Sequence, residues 1–295
     1  MNSKTKTIIL IHGLWTTPRI WHLFRDYYEE RGHRVFTPIW PRMKGEVEEI
    51  RRDPSALAGL GLLEIADEHD KFIRTLEEPP IIVGHSIGGL ITQMLLDRGL
   101  GSVGVCIAGA APKGMFGLPF SVAKAGNPVL SNPFNYDRNV VLAFGQFRRL
   151  FAQNMTENDA ADAFERYIIP GPGRPMFEAS VANLSPWAAA RINYRNRHRA
   201  PLLLIAGGED LLVPPVLNRI NHKLYKHSDA TTDYKEFPYR SHFMIAQRGW
   251  QEVAEYILAW TYAATRRAAT VKYPAPDAGW RAQKPLTAVA AKEQI

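Results

Sequence analysis

Short runs of aliphatic and β-branched residues alternate with longer amphipathic segments along most of this chain, and that rhythm constrains the fold more than any other feature. Parallel strands covered on both faces read as continuous apolar runs, and the crossovers between them call for helices. Residues 7–11, 34–37, 81–83, 103–108, 202–206 and 232–237 fit such strands. Helical periodicity occupies most of the gaps, over 20–31, 56–76, 87–97, 216–225 and 250–262. The pattern predicts an α/β protein with a mostly parallel sheet of about six strands flanked by helices. With 295 residues, 46% of them hydrophobic, the chain can bury a large core.

The rhythm breaks at 112–199. A Gly/Pro-rich loop, APKGMFGLPF, leads into a helical pattern over 140–153. A second helix starts at Thr156, with Asp159 three residues on as in a capping box, and a third stretch runs from the turn PGPGRP toward Tyr194. An insertion of this size between two strands reads as a helical lid over the sheet. The expected organisation is therefore a core of 1–111 and 200–265, a lid of 112–199, and a flexible or surface-draped tail of 266–295 rich in Ala, Pro, Lys and Arg.

Charge and cysteine content exclude several function classes. The formal charge is +7, but six basic and two acidic residues beyond Thr265 place +4 of it in the tail. The basic knot RNRHR at 195–199 lacks the interleaved aromatics of a single-strand binding surface, so no nucleic-acid partner is expected. Cys106 is the single cysteine, which rules out an internal disulfide and a cysteine-based zinc site; its setting, VGVCIAG, reads as a strand interior. No apolar run reaches the ~18 residues of a membrane-spanning helix. The run after the first lysines is short and ends in a His-Gly turn rather than a cleavage site, so a cytoplasmic location is expected.

Chemistry concentrates in four segments. Gly84-His85-Ser86-Ile87-Gly88 follows an apolar strand and precedes a helix, the two flanks that a G-x-S-x-G elbow requires. A serine in so tight a turn is lifted clear of the sheet, and glycines two positions either side leave room for it. The pentapeptide alone could be a chance glycine-rich turn; both flanks together make it selective. Of nine histidines, His242 alone follows the last strand and precedes the final helix, which brings it to the sheet edge where Ser86 emerges. The carboxylate needed to orient that imidazole falls in Gly-Gly-Glu-Asp-Leu-Leu-Val-Pro after strand 202–206, where Asp210 is preferred and Glu209 is the other candidate. The turn His12-Gly13-Leu14-Trp15 can aim the Leu14 amide at a developing oxyanion, paired with the amide of Ile87. His12 has no H-E-x-x-H companion, so it reads as a structural residue beneath the turn, and no metal is expected.

The segments HGLW, GHSIGG, GEDLLVP and SHF, in this order and spacing, resemble those of the α/β-hydrolase superfamily, in the type with a helical lid between its sixth and seventh strands. The resemblance spans about 7–262. It implies an α/β-hydrolase fold, shortened because the chain starts at what would be the family's third strand. It also implies the roles already argued: Ser86 as nucleophile, His242 as base, Asp210 as its orienting acid, and the amides of Leu14 and Ile87 as the oxyanion hole, with no cofactor. Serine at 86 excludes the relatives with an aspartate nucleophile. Trp15, His85, Met115, Phe116, Phe147 and Trp187 are the candidate pocket residues for a small-molecule ester or lactone with an apolar group. Amide or carbon–carbon bond hydrolysis on the same triad and a non-catalytic ligand receptor are the alternatives.

Overall fold

The computed structural model describes residues 6–115 and 129–270. Six strands form one sheet in the order β2 (Arg34–Phe36), β1 (Thr7–Ile11), β3 (Ile81–His85), β4 (Val103–Ile107), β7 (Leu202–Gly207) and β8 (Thr232–Phe237). Every neighbouring pair is parallel. The inner strands β3, β4 and β7 are buried along their whole length, which is why their sequences are unbroken apolar runs. Edge strand β8 is half-exposed and carries Asp233, Lys235 and Glu236.

The chain leaves β1 to one side to make β2, then returns to make β3 on the other. That reversal places a crevice at the carboxyl ends of β1 and β3, the position at which open α/β sheets bind ligands. His12 to Trp15 follow β1 directly, and Ser86 follows β3.

Helices α1 (His22–Glu29), α2 (Val47–Arg52), α3 (Leu62–Arg74), α4 (Ile87–Asp97), α8 (Pro215–Leu224) and α9 (Trp250–Thr270) surround the sheet. Helix α4 is buried from Ile87 through Leu96, since it lies directly on β3 and β4. Between β4 and β7 the described part of the insertion carries α5 (Phe144–Leu150), α6 (Glu157–Tyr167), α7 (Arg174–Ser180) and a small antiparallel pair, β5 (Asn139–Val140) with β6 (Gly171–Pro172). The Thr156 side chain caps α6 by accepting from the Asp159 amide at 3.1 Å.

Three expectations are corrected, and one helix is unmarked in the sequence. The helix expected over 56–76 divides into a short 3₁₀ turn and α3, because Gly59 adopts φ +70° and breaks the path. The six residues of α2, VEEIRR, form a helix that too few apolar positions mark. The helical stretch expected toward Tyr194 ends at Ser180, apart from one 3₁₀ turn at Ala182–Leu184, before the Ser185-Pro186 turn. Helix α9, expected over 250–262, runs on to Thr270 through an Ala- and Arg-rich sequence of high helix propensity. The rest of the tail lies outside the described residues. No helix among them is long and apolar enough to cross a membrane.

Candidate active site

Ser86 sits between β3 and α4 with φ 57° and ψ −120°, a backbone conformation that L-residues avoid and that persists only when its surroundings enforce it. Its amide donates to the Ile107 carbonyl at 2.9 Å, and its carbonyl accepts from the amides of Gly89 and Ala110 at 3.0 and 3.1 Å. The flanking glycines are sterically obligatory. A Cβ on Gly84 would lie 2.0 Å from the Gly88 carbonyl oxygen, and one on Gly88 would lie 2.2 Å from that of Ile11.

Asp210 and His242 meet from the loops after β7 and β8. The His242 Nδ1–H donates to Asp210 Oδ2 at 2.7 Å, with both side chains fully buried. Asp210 Oδ1 accepts from the amides of Leu212 and Val213 at 2.9 and 2.7 Å, so the carboxylate is held on both sides. Glu209, the other candidate, is exposed, and its carboxylate accepts from Asn154 Nδ2 at 3.1 Å. The edge of the His242 ring meets Phe151 at 4.9 Å between centroids, and its Nε2 is buried with no hydrogen-bond partner. No hydrogen bond joins Nε2 to Ser86 Oγ in this conformation. Such contacts often tighten only when substrate arrives.

The amides of Leu14 and Ile87 are donated to no other described group. Ile87 is the first residue of α4, so its amide is one that a helix start leaves unsatisfied, at the positive end of the helix dipole. Gly13 brings the two turns together: a Cβ there would lie 2.9 Å from that of Ser86. Trp15 has φ 64° and ties the insertion to this turn. Its indole N–H donates to the Val140 carbonyl at 3.0 Å, and its own carbonyl accepts from the Ile169 amide at 2.9 Å. A third tie runs from the Phe243 amide to the Phe151 carbonyl at 3.0 Å, beside the base.

The pocket candidates fare unequally. Trp15 and Met115 are buried; the Met115 carbonyl accepts from Asn183 Nδ2 at 2.8 Å. Phe147 is buried in an aromatic cluster with Phe151 and Phe243, one ring behind the base. Trp187 is corrected: it is 84% exposed, in a turn where its amide donates to Ser185 Oγ, and it lines no enclosed site. The His85 ring lies against that of His242, with Nε2 donating to the His242 carbonyl at 2.8 Å. Burial, with His242 as neighbour, holds its pKa well below the ordinary imidazole value. Phe116 lies outside the described residues.

Other suspected groups are structural. His12 is buried and stacked on Trp40 at 4.7 Å, and burial lowers its pKa to about 3. The Cys106 thiol is pushed up to about 12 by burial, so it supplies no thiolate. Arg199 of the basic knot is turned inward: it donates to the Ala200 and Thr231 carbonyls and lies over the Tyr225 ring. Among the described residues no group of three or more His, Cys, Asp or Glu could hold a metal. Phe151 is one of the aromatics that the sequence offers in the insertion, but its contact with His242, 91 residues on, leaves no local signal.

A parallel sheet with a strained serine at its switch point, and a carboxylate–imidazole pair on the next loops, is the architecture of the α/β hydrolases. The model of the alpha/beta hydrolase family matches residues 8–256, and the chain belongs to that family. No curated protein matches the sequence significantly. Among solved structures, the fold is similar to the monoacylglycerol lipase of Paleococcus ferrophilus, at 19% identity and TM-score 0.59, covering 88% of this chain and 96% of that one. It is similar to a pyrethroid hydrolase from Sphingobium faniae, at 18% identity and TM-score 0.63, covering 88% and 98%. A third similar structure is a non-heme bromoperoxidase homologue from Mycobacterium tuberculosis, at 22% identity and TM-score 0.63, covering 89% and 94%. At these identities the likeness carries the fold and leaves the substrate open.

Proposed function

We propose that the protein is a serine hydrolase that cleaves a carboxylic ester or lactone of a small to medium apolar substrate through an acyl-enzyme. The observation that carries this reading is the state of the His242 ring. Its Nδ1–H is committed to Asp210, so in the neutral ring Nε2 holds the lone pair, and that atom is buried without a partner. A basic nitrogen withheld from every other donor, at the same sheet edge as a strained serine, is poised to take the hydroxyl proton.

In this reading Ser86 Oγ adds to the ester carbonyl as His242 Nε2 takes its proton. Asp210 keeps the imidazole in one tautomer and stabilises its charged form. The amides of Leu14 and Ile87 bind the oxyanion, which is more strongly charged than the ground-state carbonyl and so gains more from them. His242 then protonates the departing alkoxide, and water, deprotonated by the same nitrogen, releases the acid. The insertion acts as a cap, and its aromatic residues supply an apolar wall; the names of the similar lipase and pyrethroid hydrolase agree with such substrates.

Hydrolysis of p-nitrophenyl butyrate tests the reading directly. Turnover is expected in the native protein, and Ser86→Ala is expected to lower kcat by about 10⁶, to background. A native protein that turns over no ester, yet melts at a higher temperature with a small apolar ligand, would point to a receptor instead.

A further inference from the structure

His85 is the one buried polar ring beside the site that the proposed chemistry leaves without a task. It is the last residue of β3, directly before Ser86, and is 3% exposed. Its Nε2 is 2.8 Å from the carbonyl of His242, 157 residues away in the chain. A carbonyl only accepts, so Nε2 carries the hydrogen and Nδ1 the lone pair. Nδ1 is buried with no partner, close to Gly13: a Cβ on that glycine would lie 3.5 Å from it. The rings of His85 and His242 are 4.7 Å apart between centroids at 50°, and Trp21 closes the far side at 6.5 Å.

Leaving a buried acceptor unpaired is unfavourable, and an apolar side chain of similar volume would fill the space without it. What the imidazole adds is the single N–H that reaches the main chain of His242. The ring of His242 is fixed at Nδ1 by Asp210, and the peptide group that follows it is held at its amide end, where the Phe243 N–H donates to the Phe151 carbonyl at 3.0 Å. The His85 Nε2–H holds the other end of that peptide group, at the His242 carbonyl, so the group is clamped on both sides.

From this juxtaposition we propose that His85 is a positioning residue for the base: its Nε2–H pins the main chain of His242, so that the free nitrogen of that ring is held over Ser86. The proposal rests on the reading of Ser86 and His242 as nucleophile and base. Small errors of placement are expensive in such a site, since a shift of about 1 Å can lower a rate by 10²-fold.

Glutamine and asparagine separate this role from plain core filling. A glutamine amide nitrogen falls near the place of Nε2, whereas asparagine is one methylene too short to reach the carbonyl. Expected for His85→Gln is a kcat near native. For His85→Asn and His85→Leu, kcat is expected to fall roughly 10- to 100-fold with KM nearly unchanged. Proton NMR supplies a readout that needs no substrate. The His242 Nδ1–H, strongly bonded to Asp210, should give a far-downfield resonance in the native protein and in His85→Gln that broadens or vanishes in His85→Asn. Equal kcat values and an unchanged resonance across the three variants would overturn the proposal, as would misfolding of all three, which would leave His85 a packing residue. If the native protein shows no Ser86-dependent turnover, the hydrolase reading fails, and the resonance alone decides whether His85 orders the His242 ring.

Discussion

Glu209 and Asp210 are neighbours with opposite surroundings, and the difference decides which one can act on an imidazole. Asp210 is buried, accepts from two amides and meets His242; Glu209 faces solvent and Asn154. Asp210→Asn is expected to lower kcat by about 10⁴, because an amide nitrogen facing Nδ1 favours the wrong tautomer. Glu209→Gln should leave kcat unchanged, and steady-state kinetics on the two variants checks both. The placement of Ser86, Asp210 and His242 at one edge is legible in the sequence because each lies just after a strand end, and a parallel sheet sends all such ends to one edge. Contacts across the chain are not legible: nothing beside Ser86 in the sequence shows that the His85 ring reaches the His242 carbonyl, or that Trp187 sits in an outward-facing turn.

At the scale of elements, the strands are legible to within two residues at each end: the inner ones as apolar runs, and edge strand β8, half-exposed and carrying three charged residues, by its place in the strand–helix alternation. Helix ends depended on glycines whose conformation a sequence does not display, as at Gly59. The insertion was read least well: two-residue strands such as β5 and β6 are too short for any period to show. Glycines also give the sharpest test of the elbow. Gly88→Ala would force a methyl against the main-chain oxygens of Ile11 and His12, at 2.2 and 2.6 Å. Ile11 lies on the buried end of β1 and its backbone cannot move aside, so a fall in Tm of roughly 3–5 °C is expected, equivalent to the ~2–3 kcal/mol of core overpacking. Gly145→Ala is the control, since nothing lies within 4 Å of its added carbon on α5. It should raise stability slightly, by about 0.5 kcal/mol, through the unfolded chain. Calorimetry on the pair tests whether close approach, rather than glycine content, governs the turn.

At the scale of the whole molecule, buried neutral histidines tie stability to pH. Burial lowers the pKa of His12, His69 and His85, with His12 at about 3. The unfolded chain presents the same imidazoles at about 6.5. Between those values the unfolded state binds more protons than the folded one, so stability falls as pH falls, by up to ~1.4 kcal/mol per pH unit for each such histidine. Tm is expected to be level above pH 7 and to drop steadily below about 6.5, and a level Tm down to pH 4.5 would contradict neutral burial. The insertion has a consequence of another kind. Two of its ties to the turns after β1 and β8, Ile169 to Trp15 and Phe243 to Phe151, run between main-chain atoms, whereas others, such as those from Gln153 and Asn154 to Glu209, use side chains. Amide and carbonyl groups survive nearly any exchange of side chains, so the roof can be repainted residue by residue while its fastenings stay put. On the proposed reading, the fold thereby separates what a descendant of this protein accepts from the groups that do the cutting.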